Sequence, residues 1–393
     1  MNFALTDAQA AVRARARAFA RDEVAPLARE ADERGEFPLH LVHRMGELGF
    51  LAGPVDPDFG GSGLDYASFA LVYEELGWAD SSVRGFLAVH GGLVTLCLRD
   101  HGTPEQRRSW LPLLATGDVI GCYCLTEPGA GSDAGALAST AVRDGADPGA
   151  DYIINGSKIW ITNGNIAHLA LVFARDPAIE TDPRKQHRQI CAFLVPTDTP
   201  GFERAPMPGR ELGHRASDHA AIAFRDMRVP ASALLGPPGG GFRVAMGALD
   251  HGRLGVAAGA VGVGQACLDA AVAFARTRQA FGQRIGDFEM IQAALADMAA
   301  EVDAARLLVY RAAWLKDQGQ PTTRETSIAK LYATEAALRA ADQAVLIHGG
   351  RGYSNEYPVE RHWRDIKGLQ IYEGTSHIQR IVIARDLLAA ETE

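Results

Sequence analysis

The strongest constraint on this 393-residue sequence is a change of texture in its middle. From Thr6 to about Gly117, apolar residues recur every three or four positions, the period of helices that bury one face. Between about Val119 and Val229 they fall instead into short runs of strand length, at 119–125, 152–154, 158–162, 169–173, 190–195 and 220–224. After the glycine- and proline-rich loop 236–241 the helical period returns and persists nearly to Glu393, with breaks near 282–286, 318–321 and 349–353. The pattern predicts a mainly α chain with a central, barrel-like β unit: a helical domain over 1–118, a β domain over 119–232 and a second helical domain over 233–393. Such a length carries two or three domains.

Two local signals refine this reading. Thr6 and Gln9 have the spacing of a capping box, which predicts that the first helix starts there. Ile154-Asn155-Gly156-Ser157 predicts a tight hairpin turn, because Asn-Gly accepts the positive φ angles such a turn needs. That hairpin would present Trp160 and Thr162 on one face.

Charge and composition exclude several classes. A formal charge of −9 gives no concentrated basic face, which argues against a nucleic-acid partner. No apolar run approaches the roughly 18 residues of a membrane span, so no membrane segment is expected. Cys97, Cys122, Cys124, Cys191 and Cys267 are scattered and odd in number, which suits neither a disulfide framework nor a zinc site. Cys122 and Cys124, two apart, would share one strand face as packing. Arg13, Arg15, Arg17 and Arg21 could mimic a transit peptide, but Asp7, Asp22 and Glu23 in the same stretch oppose that. A cytoplasmic protein in a reducing compartment is the expectation, with no metal.

The chemistry-bearing motifs are individually ambiguous. Residues 124–133, reading Cys-Leu-Thr-Glu-Pro-Gly-Ala-Gly-Ser-Asp, follow a predicted strand and offer hydroxyls and open backbone N–H groups to a phosphate or a flat polar ring. A dinucleotide fingerprint can be forced onto 129–134, but it needs a β-α-β unit opening the domain, and here a hairpin follows. Alone, this loop reads as a glycine-rich turn. Tyr372-Glu373-Gly374-Thr375 places a carboxylate on a turn before a helix starting around Ser376, and alone it reads as a helix-terminal charge.

Taken together with Trp160–Thr162, Arg278-Gln279-Ala280-Phe281-Gly282 and His348-Gly349-Gly350-Arg351-Gly352, the order and spacing of these motifs resemble the acyl-CoA dehydrogenase family over essentially the whole chain. The resemblance implies an N-terminal helical domain, a β-barrel-like middle domain and a C-terminal four-helix bundle, with FAD between the last two in a homotetramer. Tyr123, Leu125, Thr126, Gly131 and Ser132 would line the flavin, Trp160 and Thr162 would cover its ring, and Thr375 and His377 would complete the pocket. Arg278, Phe281, Gly349 and Gly350 would meet the far end of a neighbouring subunit's FAD. Ser132, Asp250, Arg253 and Gly374 would surround the CoA thioester, although Asp250 and Arg253 also read as a helix-surface ion pair.

In the implied reaction Glu373 takes the α-proton while a hydride leaves the β-carbon for flavin N5, giving a trans-2-enoyl thioester. An electron-transfer flavoprotein would accept the electrons. Leu346 and Glu289 stand where the family commonly has glutamines, which implies weaker FAD binding. Asp80-Ser81-Ser82-Val83-Arg84-Gly85 resembles the glutaryl-CoA dehydrogenase segment in which an arginine binds a distal carboxylate, and carrier-protein dehydrogenases look similar there. Residues 376–380 instead resemble ordinary fatty-acyl enzymes. A dicarboxylic or carrier-tethered substrate, an acyl-CoA oxidase and a non-catalytic relative are the competing readings.

Overall fold

The computed structural model describes residues 4–147 and 149–389. The predicted capping box is present: the Thr6 hydroxyl accepts from the Gln9 amide at 3.2 Å, and the Gln9 side chain accepts from the Thr6 amide at 3.1 Å. It opens α1 (Asp7–Ala18). The helical unit continues with α2 (Ala25–Arg34), α3 (His40–Glu47), α4 (Tyr66–Ala79), α5 (Ser81–Leu87), α6 (Leu96–His101) and α7 (Pro104–Thr116). A Gly117 in the left-handed region ends α7 and turns the chain into the β unit.

The β unit holds β1 (Gly121–Cys124), β2 (Thr140–Arg143), β3 (Tyr152–Thr162), β4 (Leu169–Arg175), β5 (Ile190–Pro196), β6 (Phe202–Pro206) and β7 (His219–Val229) in one seven-stranded sheet. The order is β1-β4-β2-β3-β7-β6, and β5 pairs with β4. The chain then enters the bundle of α8 (Gly241–Thr277), α9 (Glu289–Asp317), α10 (Thr323–His348), α11 (Val359–Ile371) and α12 (Ser376–Ala389).

Sheet alternation places the two faces of single strands in two different cores. Ala170, Val172 and Ala174 of β4 join one apolar cluster, while Leu169, Leu171 and Phe173 join the other. Each large side chain buried this way contributes roughly 1.5–3 kcal/mol. By the same alternation Cys122 and Cys124 share one face, while Tyr123 and Leu125 face the second cluster beside Val244, Ala245 and Ala248 of α8. The sheet thereby turns a specific side of β1 toward the bundle.

Two expectations need correction. Asn155-Gly156 is not a hairpin turn: β3 runs straight through it from Tyr152 to Thr162 with a register shift between Ile154 and Gly156. The Asn155 carboxamide donates to the Asp226 side chain at 3.0 Å and accepts from the Asp226 amide at 2.8 Å, which ties the bulge across to β7. The freedom that suits Asn-Gly to a turn serves a bulge instead. The hairpin lies between β2 and β3, closed by the Asp144 amide donating to the Asp151 carbonyl at 2.8 Å.

The second correction concerns apolar length. Ser81–His101 and Gly241–Thr277 are long and apolar enough to cross a membrane by composition alone. The most apolar windows of these helices are 89% and 67% buried inside the protein, so they are core helices. Both line the site described next.

Candidate active site

α11 ends at Ile371, and Tyr372 closes it by donating its amide to the Gly368 carbonyl at 3.1 Å. The next two residues are left-handed, Glu373 at φ 56° and Gly374 at φ 91°. Gly374 suits that conformation, whereas for Glu373 it is a strained one that the surroundings must enforce. The residue Glu373 is partly exposed, yet its carboxylate oxygen Oε2 is enclosed and finds no hydrogen-bond partner.

What Glu373 faces is the bare backbone of α8. A Cβ added at Gly252 would lie 1.9 Å from Glu373 Oε2, so only glycine leaves room for the carboxylate in this position. Burial pushes the carboxyl up, while Arg84, Lys330 and Arg253 pull it back, and the balance holds it at about 7. None of these cations forms an ion pair with Glu373 among the described residues, so the carboxylate remains open to a proton.

Arg84 is 1% exposed, far more buried than its sequence context indicated. Its guanidinium donates to the Tyr372 hydroxyl, and its Nε has no partner. Its methylenes pack on Gly259 of α8, where a Cβ would lie 2.6 Å from Cδ. The Tyr372 hydroxyl also meets Nε2 of the buried His214 at 3.3 Å. Arg84 thus sits behind Tyr372 rather than on the surface.

The loop after β1 is held by a buried pair. Lys158, fully buried on β3, donates to Glu127 at 2.7 Å and to the Leu125 carbonyl at 3.2 Å. Glu127 also accepts from the amides of Ala138 and Ser139. Burial alone would raise the Glu127 carboxyl, but Lys158, the Ala138 amide and Ser139 hold it below its ordinary value. Thr126 is bound to β3 through the Ile159 amide at 3.0 Å, which brings it beside Trp160 and Thr162. Trp160 is half exposed with φ 58°, and Ile161 between it and Thr162 is buried, so Trp160 and Thr162 point away from the core.

A Cβ at Gly129 or Gly131 would meet nothing within 4 Å, and Ser132 is exposed, so the loop presents open backbone next to an exposed indole. Such a surface suits a flat ring with a phosphate tail. On the far side of β1, Tyr123 donates to the Ala245 carbonyl at 3.3 Å, and its phenol is pushed up by burial, then by Cys97 and Glu373. Thr375 caps α12 by accepting from the Ile378 amide at 3.3 Å, and His377 is exposed. Asp250 and Arg253 form an ion pair at 2.7 Å, and Asp250 also accepts from Thr323 at 2.7 Å.

Arg278, Phe281, Gly349 and Gly350 gather elsewhere. Arg278 lies about 26 residues beyond Gly252, roughly 39 Å along the axis of α8 at the helical rise. It lines a cleft of about 250 Å³ with Phe274, Thr277, Gln279, Arg351 and Tyr357. Phe281 is 95% exposed at φ 52°, and Gly349 and Gly350 border open space. Leu346 is exposed there, and Glu289 begins α9 nearby in the chain. Lys158, Lys330 and Gln379 were missed from sequence as buried polar groups, and Glu127 was read only as part of the 124–133 loop. A lone lysine or glutamine within a helix reads as a solvated position, and only the tertiary structure buries these.

Models of the acyl-CoA dehydrogenase N-terminal, middle and C-terminal domains match residues 6–118, 122–227 and 239–388. The chain belongs to the acyl-CoA dehydrogenase family, whose members are FAD-dependent oxidoreductases. It is 47% identical over 389 residues to a probable acyl-CoA dehydrogenase, YngJ, of Bacillus subtilis strain 168, covering 99% of this chain and 100% of that one. Butyryl-CoA dehydrogenase from Megasphaera elsdenii is 39% identical with a TM-score of 0.94, over 99% and 100% of the two chains. A glutaryl-CoA dehydrogenase in complex with glutaryl-CoA is 35% identical with a TM-score of 0.94, over 100% of this chain and 98% of that one.

Proposed function

We propose that the chain dehydrogenates a short acyl-CoA thioester between its α and β carbons, with Glu373 as the base that takes the α-proton. The enclosed, unpartnered Oε2 of Glu373, set against bare backbone at Gly252, is the observation that supports this most. A carboxyl held at about 7 can accept a proton at neutral pH and release it again. FAD, when bound, supplies the two-electron oxidant. The residues for it are Tyr123, Leu125, Thr126, Gly131, Ser132, Trp160, Thr162, Thr375 and His377. Ser132, Gly374, Asp250 and Arg253 attend the CoA thioester. A polarised thioester carbonyl, bonded by the Glu373 amide, makes the α-proton acidic enough to leave.

The exposure of Phe281 and the distance of Arg278 from Gly252 favour their serving a neighbouring subunit's cofactor in a homotetramer. Replacing Arg278 with Ala is expected to lower FAD retention by removing a charge-assisted contact of roughly 1.5–3 kcal/mol. The flavin-to-protein absorbance ratio after gel filtration reads this directly, and an unchanged ratio refutes the assignment. Electron-transfer flavoprotein is the proposed acceptor and the cytoplasm the proposed location.

A second reading has one observation in its favour. Arg84 is a buried cation with no direct ion pair among the described residues, and the carboxylate it acts on, Glu373, lies at longer range, an arrangement that costs several kcal/mol unless something compensates it. A distal carboxylate on the acyl chain would do so. Anaerobic bleaching of the flavin by butyryl-, hexanoyl- and glutaryl-CoA decides between the readings. Butyryl-CoA as the preferred substrate supports the simple short-chain reading, and no bleaching by any of the three overturns both. Glutaryl-CoA preferred in the wild type, with the order reversed in Arg84→Leu, supports the carboxylate reading, and an order untouched by Arg84→Leu removes Arg84 from the specificity site.

A further inference from the structure

Two buried side chains from different helices converge on the Glu373 turn. Lys330 of α10 is fully buried, and its ammonium donates to the Gly374 carbonyl at 2.7 Å. Gln379 of α12 is also fully buried, and its carboxamide donates to the same carbonyl at 2.9 Å and to the Glu373 carbonyl at 3.2 Å. A Cβ on Gly374 would lie 2.7 Å from that carboxamide nitrogen, so the clamp closes only over glycine.

Lys330 forms no ion pair among the described residues, and one carbonyl answers its three donors. An apolar side chain of similar length would be cheaper to bury there. The turn under the clamp holds two consecutive left-handed residues, one of them a glutamate. A strained turn persists only where its neighbours over-determine it.

We propose that Lys330 and Gln379 are positioning residues that clamp the two carbonyls of the base turn, with Lys330 also placing an unpaired positive charge beside the carboxylate. The proposal rests on Glu373 being the base. The charges facing Glu373 are Arg84 from α5, Arg253 from α8 and Lys330 from α10. Tyr73 of α4, Tyr123 of β1 and Tyr372 also feel Glu373, but burial pushes their phenols up and they carry no charge at neutral pH. Burial lowers Lys330 to about 8, while Glu373 and Glu335 support its charge against Arg253, so it is mostly protonated at neutral pH. Removing that charge raises the Glu373 carboxyl further, and the acid limb of the rate profile moves to higher pH.

The test is anaerobic flavin reduction by the acyl-CoA that bleaches the wild type best, followed against pH, with FAD content and thermal unfolding recorded for each variant. Lys330→Met is expected to reduce flavin about tenfold more slowly at pH 7, with part of the loss recovered at higher pH. Gln379→Leu keeps the charge and removes two donors, so its rate falls at every pH while the limb stays in place. Lys330→Arg keeps both charge and donor and is expected to leave the limb where the wild type has it. Should Lys330→Met lose FAD or unfold, the comparison of Lys330→Arg with Gln379→Leu still decides: a limb displaced in Lys330→Arg, or wild-type rates in Gln379→Leu, refutes the clamp. A wild-type rate and limb in Lys330→Met, with Glu373→Gln inactive, overturns the proposal alone. Normal reduction by Glu373→Gln would instead overturn the base itself, whatever the Lys330 variants do.

Discussion

Glu373→Gln is expected to retain FAD and bind acyl-CoA while flavin reduction falls by at least the roughly 10²–10⁴-fold of a lost general base. Glutamine matches the size of the carboxylate and fits the space bounded by Gly252, so the turn and its bonds from Lys330 and Gln379 persist. An amide cannot take the α-proton. The wild-type rate carries a further signature, because only ionised Glu373 is a base. Burial holds its carboxyl at about 7, so activity is gained as pH rises through that value and lost below it. The residual rate of Glu373→Gln should show no such limb. Stopped-flow reduction across this range measures both effects, and near-normal reduction by Glu373→Gln with substrate bound would assign the proton to another group.

The α–β–α architecture was readable because periodicity reports burial averaged over many residues, and such averages survive ignorance of tertiary contacts. The Glu373 turn was readable for a different reason: its glycine and the helix after it are neighbours in the chain. Asn155-Gly156 shows where local reading stops. The same pair serves a turn or a bulge, and the choice depends on Asp226, 71 residues away. β2 and β6 were missed because β2 is short and polar-edged and β6 is mostly exposed, so neither makes an apolar run. Arg84 was noticed as a motif, yet its burial behind Tyr372 comes from α8 passing close at Gly259. Lys330 left no signal, because what makes it matter is a carbonyl that lies 44 residues away along the chain, and Gln379 was read within 376–380 without its bond to the carbonyl 5 residues before it.

Moving the proposed base from one side of the pocket to the other is the most demanding test of the site. The family resemblance implies that some members carry the glutamate on a bundle helix, at the position held here by Gly252. The structure supplies the reason that one chain holds only one of them. A Cβ at Gly252 already lies 1.9 Å from Glu373 Oε2, so Gly252→Glu in the wild-type background would force two carboxylates into one space. That single variant is expected to lose flavin reduction by roughly 10²-fold or more, with one carboxyl driven to its protonated form by the other. Glu373→Gly should lose activity for want of a base, although glycine is at ease at φ 56° and the turn gains conformational freedom. In the double variant Gly252→Glu with Glu373→Gly the clash is gone, and a carboxylate enters the vacated space from α8. Flavin reduction should recover by roughly tenfold or more over Glu373→Gly. Arg84 and Arg253 are still present to favour the anion, whereas Lys330 keeps its bond to the Gly374 carbonyl. A double variant no faster than Glu373→Gly, with FAD and acyl-CoA bound normally, would show that Gly252 and Glu373 do not address the same α-carbon.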